Sequence, residues 1–186
     1  MKKYMYLSLF VSLLFSCNSN GQATDSLSKN NRSIPASNFV FSGDYNDLLT
    51  LQMASQITGF DASNAIKTHA MKGMMTETLR YYWENDRKVE IEGSTLPRVD
   101  RVQINWIDDE ADMDSFLYFI DPEKHPELIK VNGVGESAYW NSNKKYLEVY
   151  YNGISFRLEV DISNDDTLDK EKTIALAKQI IDAKLK

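Results

Sequence analysis

The stretch Tyr146-Leu147-Glu148-Val149-Tyr150-Tyr151-Asn152-Gly153-Ile154-Ser155-Phe156-Arg157-Leu158-Glu159-Val160 decides the fold. Asn152-Gly153 is a strong hairpin signal, because both residues tolerate the positive φ angles of a two-residue type I′ turn. The spacing therefore predicts a strand over 146–151 and a return strand over 154–160. In the return strand Ile154, Phe156, Leu158 and Val160 alternate with Ser155, Arg157 and Glu159, so one face is apolar and must be covered.

The cover follows directly in the chain. After the turn Asn164-Asp165-Asp166, Asp169 is expected to cap a last helix, whose Ile174, Ala177, Ile180, Ile181 and Leu185 form an apolar stripe. Upstream, Ser137 to Trp140 reads as a short strand and Asn141-Ser142-Asn143 as its turn. Asp112 caps a helix through Ile120, with Met113, Phe116, Leu117 and Ile120 on one face, and Asp121-Pro122 ends it. Two further alternating runs predict strands over 76–83, with Leu79, Tyr81 and Trp83 on one face, and over 99–107, with Val102, Ile104 and Trp106. The connection between them holds a short strand at Lys88 to Ile91. Thr50 is an N-cap for a helix over 51–58 that Gly59 stops, and a second helical piece is expected over 63–69. A one-sided antiparallel sheet with amphipathic helices packed on it is an α+β domain.

The N-terminal segment points to a compartment. Met1-Lys2-Lys3, the apolar run Tyr4 to Phe15, then Ser16-Cys17 have the layout of a secretory signal peptide, and the apolar run is too short to span hydrocarbon. Cys17 is the chain's one cysteine. Leu14-Phe15-Ser16-Cys17 resembles the lipobox of bacterial lipoproteins. That resemblance implies cleavage before Cys17, a diacylglyceryl group on its thiol and acylation, such as by palmitate, of its amine. The expected organisation is a signal peptide over 1–16, a flexible tether over 17–38, polar and rich in Asn and Ser, and a single domain over 39–186. Asn18 is not the Asp that retains lipoproteins at the inner membrane in enteric-type bacteria, which favours the outer membrane, facing the periplasm or the cell surface.

Val131-Asn132-Gly133-Val134-Gly135-Glu136-Ser137-Ala138-Tyr139-Trp140, entering a hairpin and then a helix, resembles a segment of small bacterial lipoproteins of PsbP-like fold. The Leu48-Leu49-Thr50 helix start followed by Gly59 is also similar to their opening helix. This resemblance implies the fold and says little of activity.

Charge and motifs narrow the function. Loss of Lys2 and Lys3 takes the net charge from −6 to −8, which disfavours nucleic acid and anionic lipid surfaces as partners. A lipidated Cys17 leaves no thiol for a disulfide, a nucleophile or a metal. Gly133-Val134-Gly135 lacks the third glycine and the following helix of a dinucleotide loop. Asp161, Ser163, Asp165, Thr167 and Asp169 imitate the odd positions of a calcium loop, but Asp166 stands where that loop needs glycine and Lys172 where it needs glutamate. The cluster Asp108, Asp109, Glu110, Asp112 and Asp114 reads as an acidic helix start. With two histidines, His69 and His125, no zinc set is assembled locally. No cofactor or metal is therefore expected. The expectation is a lipid-anchored, non-catalytic binding or accessory module with a protein or small ligand as partner. The competing class is an envelope hydrolase using His69 or His125. Strand alternation cannot hide both members of Tyr81-Tyr82, Tyr139-Trp140 and Tyr150-Tyr151 on one face, so Tyr82, Trp83, Trp106, Tyr139, Trp140 and Tyr150 are the candidate binding surface.

Overall fold

The computed structural model describes residues 47–70, 78–108 and 111–186. The signal peptide, Cys17, the tether and the start of the domain near Phe39 lie outside the described residues.

The hairpin forms as its turn chemistry requires. Strands β8 (Tyr146–Tyr151) and β9 (Ile154–Asp161) pair antiparallel, with Tyr151 opposite Ile154. Asn152 and Gly153 take φ values of 52° and 86°. Around them is a seven-stranded antiparallel sheet, together with β1 (Ile66–Ala70), β2 (Thr78–Trp83), β5 (Asp100–Asp108), β6 (Leu128–Lys130) and β7 (Ser137–Asn141), in the order β1-β2-β5-β9-β8-β7-β6. Strands β3 (Lys88–Ile91) and β4 (Ser94–Pro97) form a separate hairpin. The architecture is α+β.

One sheet face is apolar. Leu79, Ile104, Leu158, Leu147 and Trp140 lie in register across five strands and are all buried. Helix α1 (Leu51–Thr58) and helix α3 (Asp166–Ile180) join this core, α3 through Leu176, Ala177 and Ile180. A π-helical turn, Ile181–Leu185, continues α3 and buries Ile181 and Leu185. Thr173 Oγ1 accepts from the Val160 amide at 3.1 Å and donates to the Asp169 carbonyl at 2.8 Å, which fixes α3 against β9. Lys172 Nζ donates to the Ile57 carbonyl at 2.6 Å and ties α3 to α1. The cover expected for Ile154, Phe156, Leu158 and Val160 is in place.

The second sheet face divides in two. Towards β2 and β5 it is a polar lattice. Arg80 Nε donates to Gln103 Oε1 at 2.8 Å, Gln103 Nε2 to Asn105 Oδ1 at 2.9 Å, and Asn105 Nδ2 to Thr78 Oγ1 at 2.7 Å. Towards β8 and β7 helix α2 (Met113–Ile120) covers it, burying Phe116 and Ile120 beside Tyr150, with Tyr139 and Leu128 packed alongside.

The structure corrects several local expectations. Residues 66–70 are a strand and not a helix. A single 3₁₀ turn, Ala62–Asn64, capped by the Asp61 side chain, precedes them, and Ile66 through Ala70 then pair with Tyr82 through Thr78. Sheet pairing outweighs the helical preference of so short a run. The N-cap of α3 is Asp165, whose carboxylate accepts from the Thr167 and Leu168 amides, and not Asp169. Asp169 lies inside the first turn, buried, and reaches back to accept from the Ile162 and Ser163 amides and the Ser163 hydroxyl. Strands β4 and β6 had no counterpart in the reading from sequence; each is four residues or fewer and lies mostly exposed.

Candidate functional site

The strand aromatics do not form the surface expected of them. Trp83, Trp106 and Trp140 are buried in the main core, and Tyr150 is buried under α2. Trp83 is held by Nε1 donating to the Asp61 carbonyl at 2.9 Å and by an edge contact with Phe60. Tyr139 and Tyr82 are half-buried on the second face. Tyr139 packs beside α2, whereas Tyr82 stands opposite Arg101 in the polar half, so the two do not share a patch. The alternation argument held in that neighbouring aromatics point to opposite faces. The main core takes the three tryptophans, and on the other face helix α2 buries Tyr150 and half-covers Tyr139.

The exposed aromatics lie on α2 itself. Its inward stripe, Met113, Phe116, Leu117 and Ile120, uses the positions that helical spacing assigns to the core. Of the four residues off that stripe, Asp114 and Ser115 are polar, whereas Tyr118 is aromatic and 88% exposed and Phe119 is 64% exposed. They adjoin a cleft of about 560 Å³ between α2 and Ser155, and Tyr118 also borders a second depression of about 490 Å³ near Pro122 and Tyr139. Acidic groups lie at both depressions and at the start of α2. Asp112 caps α2 by accepting from the Ser115 amide at 2.6 Å, which holds its carboxyl below the usual aspartate range. Asp114 and Glu123 are exposed nearby, and Asp121 pairs with Lys124. Reading the sequence for what α2's core stripe leaves over would have found Tyr118 and Phe119.

A third, smaller pocket of about 130 Å³ opens beyond Phe119 and Ile120. At its base is Glu148, 2% exposed. Arg157 Nε and Nη2 both donate to Glu148 Oε1, at 2.9 and 2.6 Å, while its guanidinium lies 3.9 Å from the centre of the Tyr146 ring. Glu148 Oε2 is buried without a hydrogen-bond partner. Burial pushes the Glu148 carboxyl up from its ordinary pKa, against the pull of Arg157. The wall carries Glu127, His125, Asn141, Lys144 and Tyr146. His125 Nδ1 stands 3.1 Å from Glu127 Oε1, and Asn141 Nδ2 donates to Tyr146 Oη at 3.4 Å.

The two histidines occupy opposite ends of the sheet. His69 is exposed on edge strand β1, and His125 precedes the other edge strand, β6. Six strand spacings of ~4.8 Å put them about 29 Å apart, so they cannot serve one site.

The would-be calcium loop is used otherwise. Asp161 is held by Arg98 Nη2 at 2.5 Å and Arg87 Nη2 at 2.8 Å. Burial would raise its carboxyl, but the hydrogen bonds from Arg98 and Arg87 together outweigh that and hold it below the usual range. Among the described residues no group of three or more His, Cys, Asp or Glu is placed to hold a metal ion. Gly133 and Gly135 take positive φ in the turn before β7, whose strand begins at Ser137.

No family model, curated protein or solved structure matches this chain. The class that the fold defines is an α+β protein with a seven-stranded antiparallel sheet and three α-helices among the described residues. No helix among them is long and apolar enough to cross a membrane.

Proposed function

We propose that this protein is a lipid-anchored bacterial envelope lipoprotein with a PsbP-like domain, acting as a non-catalytic binding or accessory module through the outer face of α2. The anchor is the lipobox cysteine, Cys17, and the location is the outer membrane, facing the periplasm or the cell surface. The single observation that carries the binding role is the Tyr118–Phe119 pair, exposed on a helix whose opposite side is packed into the sheet. A large aromatic left in water on a rigid helix costs solvation free energy, and such patches mark interaction sites. The carboxylates of Asp114, at the cleft, and Glu123, at the second depression, fit a protein segment carrying lysine or arginine beside an apolar side chain.

The test is site-specific photocrosslinking in membranes. A photoreactive residue at position 118 should give a light-dependent adduct that weakens with added salt, as screening of the acidic rim requires. The same residue at exposed Lys178 on α3 should give none. Equal adducts at both positions would remove α2 as the recognition surface. Separately, Cys17→Ala should leave the precursor unlipidated; lipid-labelled, normally processed mutant protein would remove the anchor.

One observation favours the second reading, an envelope hydrolase. His125 stands beside the Glu127 carboxylate at the mouth of a pocket, as an oriented general base would. The pocket wall carries no Ser, Thr or Cys, so the attacking group would have to be water. Turnover of ester or amide substrates that His125→Ala abolishes would establish it.

A further inference from the structure

On the second sheet face two buried side-chain atoms among the described residues lack a hydrogen-bond partner, Ser155 Oγ and Glu148 Oε2, and of the two only Glu148 belongs to an acid. An ionised carboxylate only accepts hydrogen bonds, so what is missing at Oε2 is a donor. Leaving a charged group's oxygen unmet at such burial is costly, and native structures rarely do so without a ligand or an ordered water.

Arg157 does not supply that donor. Both of its contacting nitrogens converge on Oε1, and its plane is fixed over Tyr146, so it has no reach to the second oxygen in this arrangement. Nor does Lys144, the other cation of the lining, which is exposed at the rim and leaves Oε2 unbonded. The pocket wall offers further acceptors. Glu127 presents a second carboxylate, of which one oxygen faces His125. Tyr146 Oη receives only a long bond from Asn141. Two carboxylates and a phenolic oxygen are three acceptors around one small space, against the three hydrogens of an ammonium group. Phe119, on the pocket's outer wall, adds an aromatic ring that favours a cation. At ~30 Å³ per water the volume corresponds to about four waters, room for one ammonium group with a short carbon stem.

We infer that this pocket is a binding site for a primary ammonium group, with Glu148 Oε2 as its principal acceptor and Glu127 and Tyr146 completing the shell. The upward push of burial on the Glu148 carboxyl supports this, since a cation bonded to Oε2 would relieve it where the pull of Arg157 and Lys144 does not. The site shares Phe119 with the α2 surface proposed above, but its acceptors, Glu148, Glu127 and Tyr146, do not line the cleft beside Ser155.

The experiment is a titration of the full-length protein in detergent micelles, ¹³C-labelled at glutamate, following the Glu148 side-chain carboxyl resonance by NMR. Ethylammonium should shift it saturably, whereas tetramethylammonium, a cation without N–H donors, and acetate should not. Glu148→Gln should weaken binding about tenfold or more, the loss expected of a charge-assisted hydrogen bond. Glu127→Gln, at the accessible rim, should weaken it by a smaller factor without unfolding the domain, so the inference stays testable if the Glu148 variant is unstable. Comparing Nα-acetyl-lysine amide with glycine amide then separates a lysine side chain from a free amino terminus as the source of the ammonium. No saturable shift up to about 100 mM ethylammonium, an equal response to tetramethylammonium, or binding unchanged in both variants would mean that the pocket holds only water and would overturn the inference.

Discussion

At the scale of single residues, two positions show how a side chain answers to its surroundings. Gly135 takes φ +56° in the turn before β7, and a Cβ there would lie 2.5 Å from the Tyr150 carbonyl oxygen. Backbone opposes backbone at that point, so neither side gives easily. Gly135→Ala should therefore cost about 2 kcal/mol or more in denaturant unfolding, while Gly133→Ala, with open space around its Cβ, should cost about 1 kcal/mol. Asp161 shows the electrostatic counterpart. Its carboxyl is held below the ordinary aspartate value of about 3.9. A depressed folded pKa contributes stability that is present above the unfolded value and lost as pH falls through the folded one. Asp161→Asn should accordingly destabilise by about 3 kcal/mol at pH 7, because Arg87 and Arg98 lose a buried partner. The gap between wild type and variant should narrow as pH falls below about 4. A gap independent of pH would show that Asp161 acts through packing and not charge.

At the scale of elements, helical periodicity and strand alternation name the buried side of each piece, and the structure honours most of them. Strand β2 buries Leu79, Tyr81 and Trp83, and β5 buries Val102, Ile104 and Trp106, because period-two alternation is a local property that pairing does not change. In α3 the buried set is Asp169, Thr173, Leu176, Ala177 and Ile180, with Ile174 only half-buried at the stripe's edge. Ile180 is fully buried and Lys178 is exposed on the same turn. Ile180→Ala should cost roughly 2–5 kcal/mol in a denaturant melt, and Lys178→Ala less than about 0.5 kcal/mol. Equal small effects would mean that α3 is not docked on β9. Helix α2 divides in the same way, but beside Asp114 and Ser115 its outward face carries Tyr118 and Phe119 where an ordinary surface helix carries polar residues.

At the scale of the molecule, one arginine joins parts that are far apart in sequence. Arg87, between β2 and β3, pairs with Asp100 and Asp161 and donates to the carbonyls of Val99, Asp161 and Ser163. It thereby fastens the base of the β3–β4 hairpin to the ends of β5 and β9. A two-stranded hairpin is marginal by itself in water, so this clasp should govern its order. Arg87→Lys, which keeps the charge and loses the planar fork, should speed amide hydrogen exchange in β3 and β4 selectively and leave β8 and β9 protected. Uniform acceleration across the sheet would instead place Arg87 in the global core.

The division between sequence and tertiary structure follows from the range of the forces. Asn152-Gly153, the Thr50 and Asp112 caps, the Gly59 stop and the strand alternation are local, set by φ preferences, nearby hydrogen bonds and side-chain period, so the residues alone determined the hairpin, helices α1 and α2, and the α+β class. Assigning residues 66–70 to a strand needed β2 as a partner, and replacing Asp169 by Asp165 as the cap needed the path of the chain after β9. The candidate sites depended on tertiary structure even more. Only the placement of α2 across β8 and β7 buries Tyr150, leaves Tyr118 and Phe119 in water, and encloses Glu148 with one oxygen unmet. Burial of a polar group is a sum over neighbours distant in the chain, and no local pattern of residues records it.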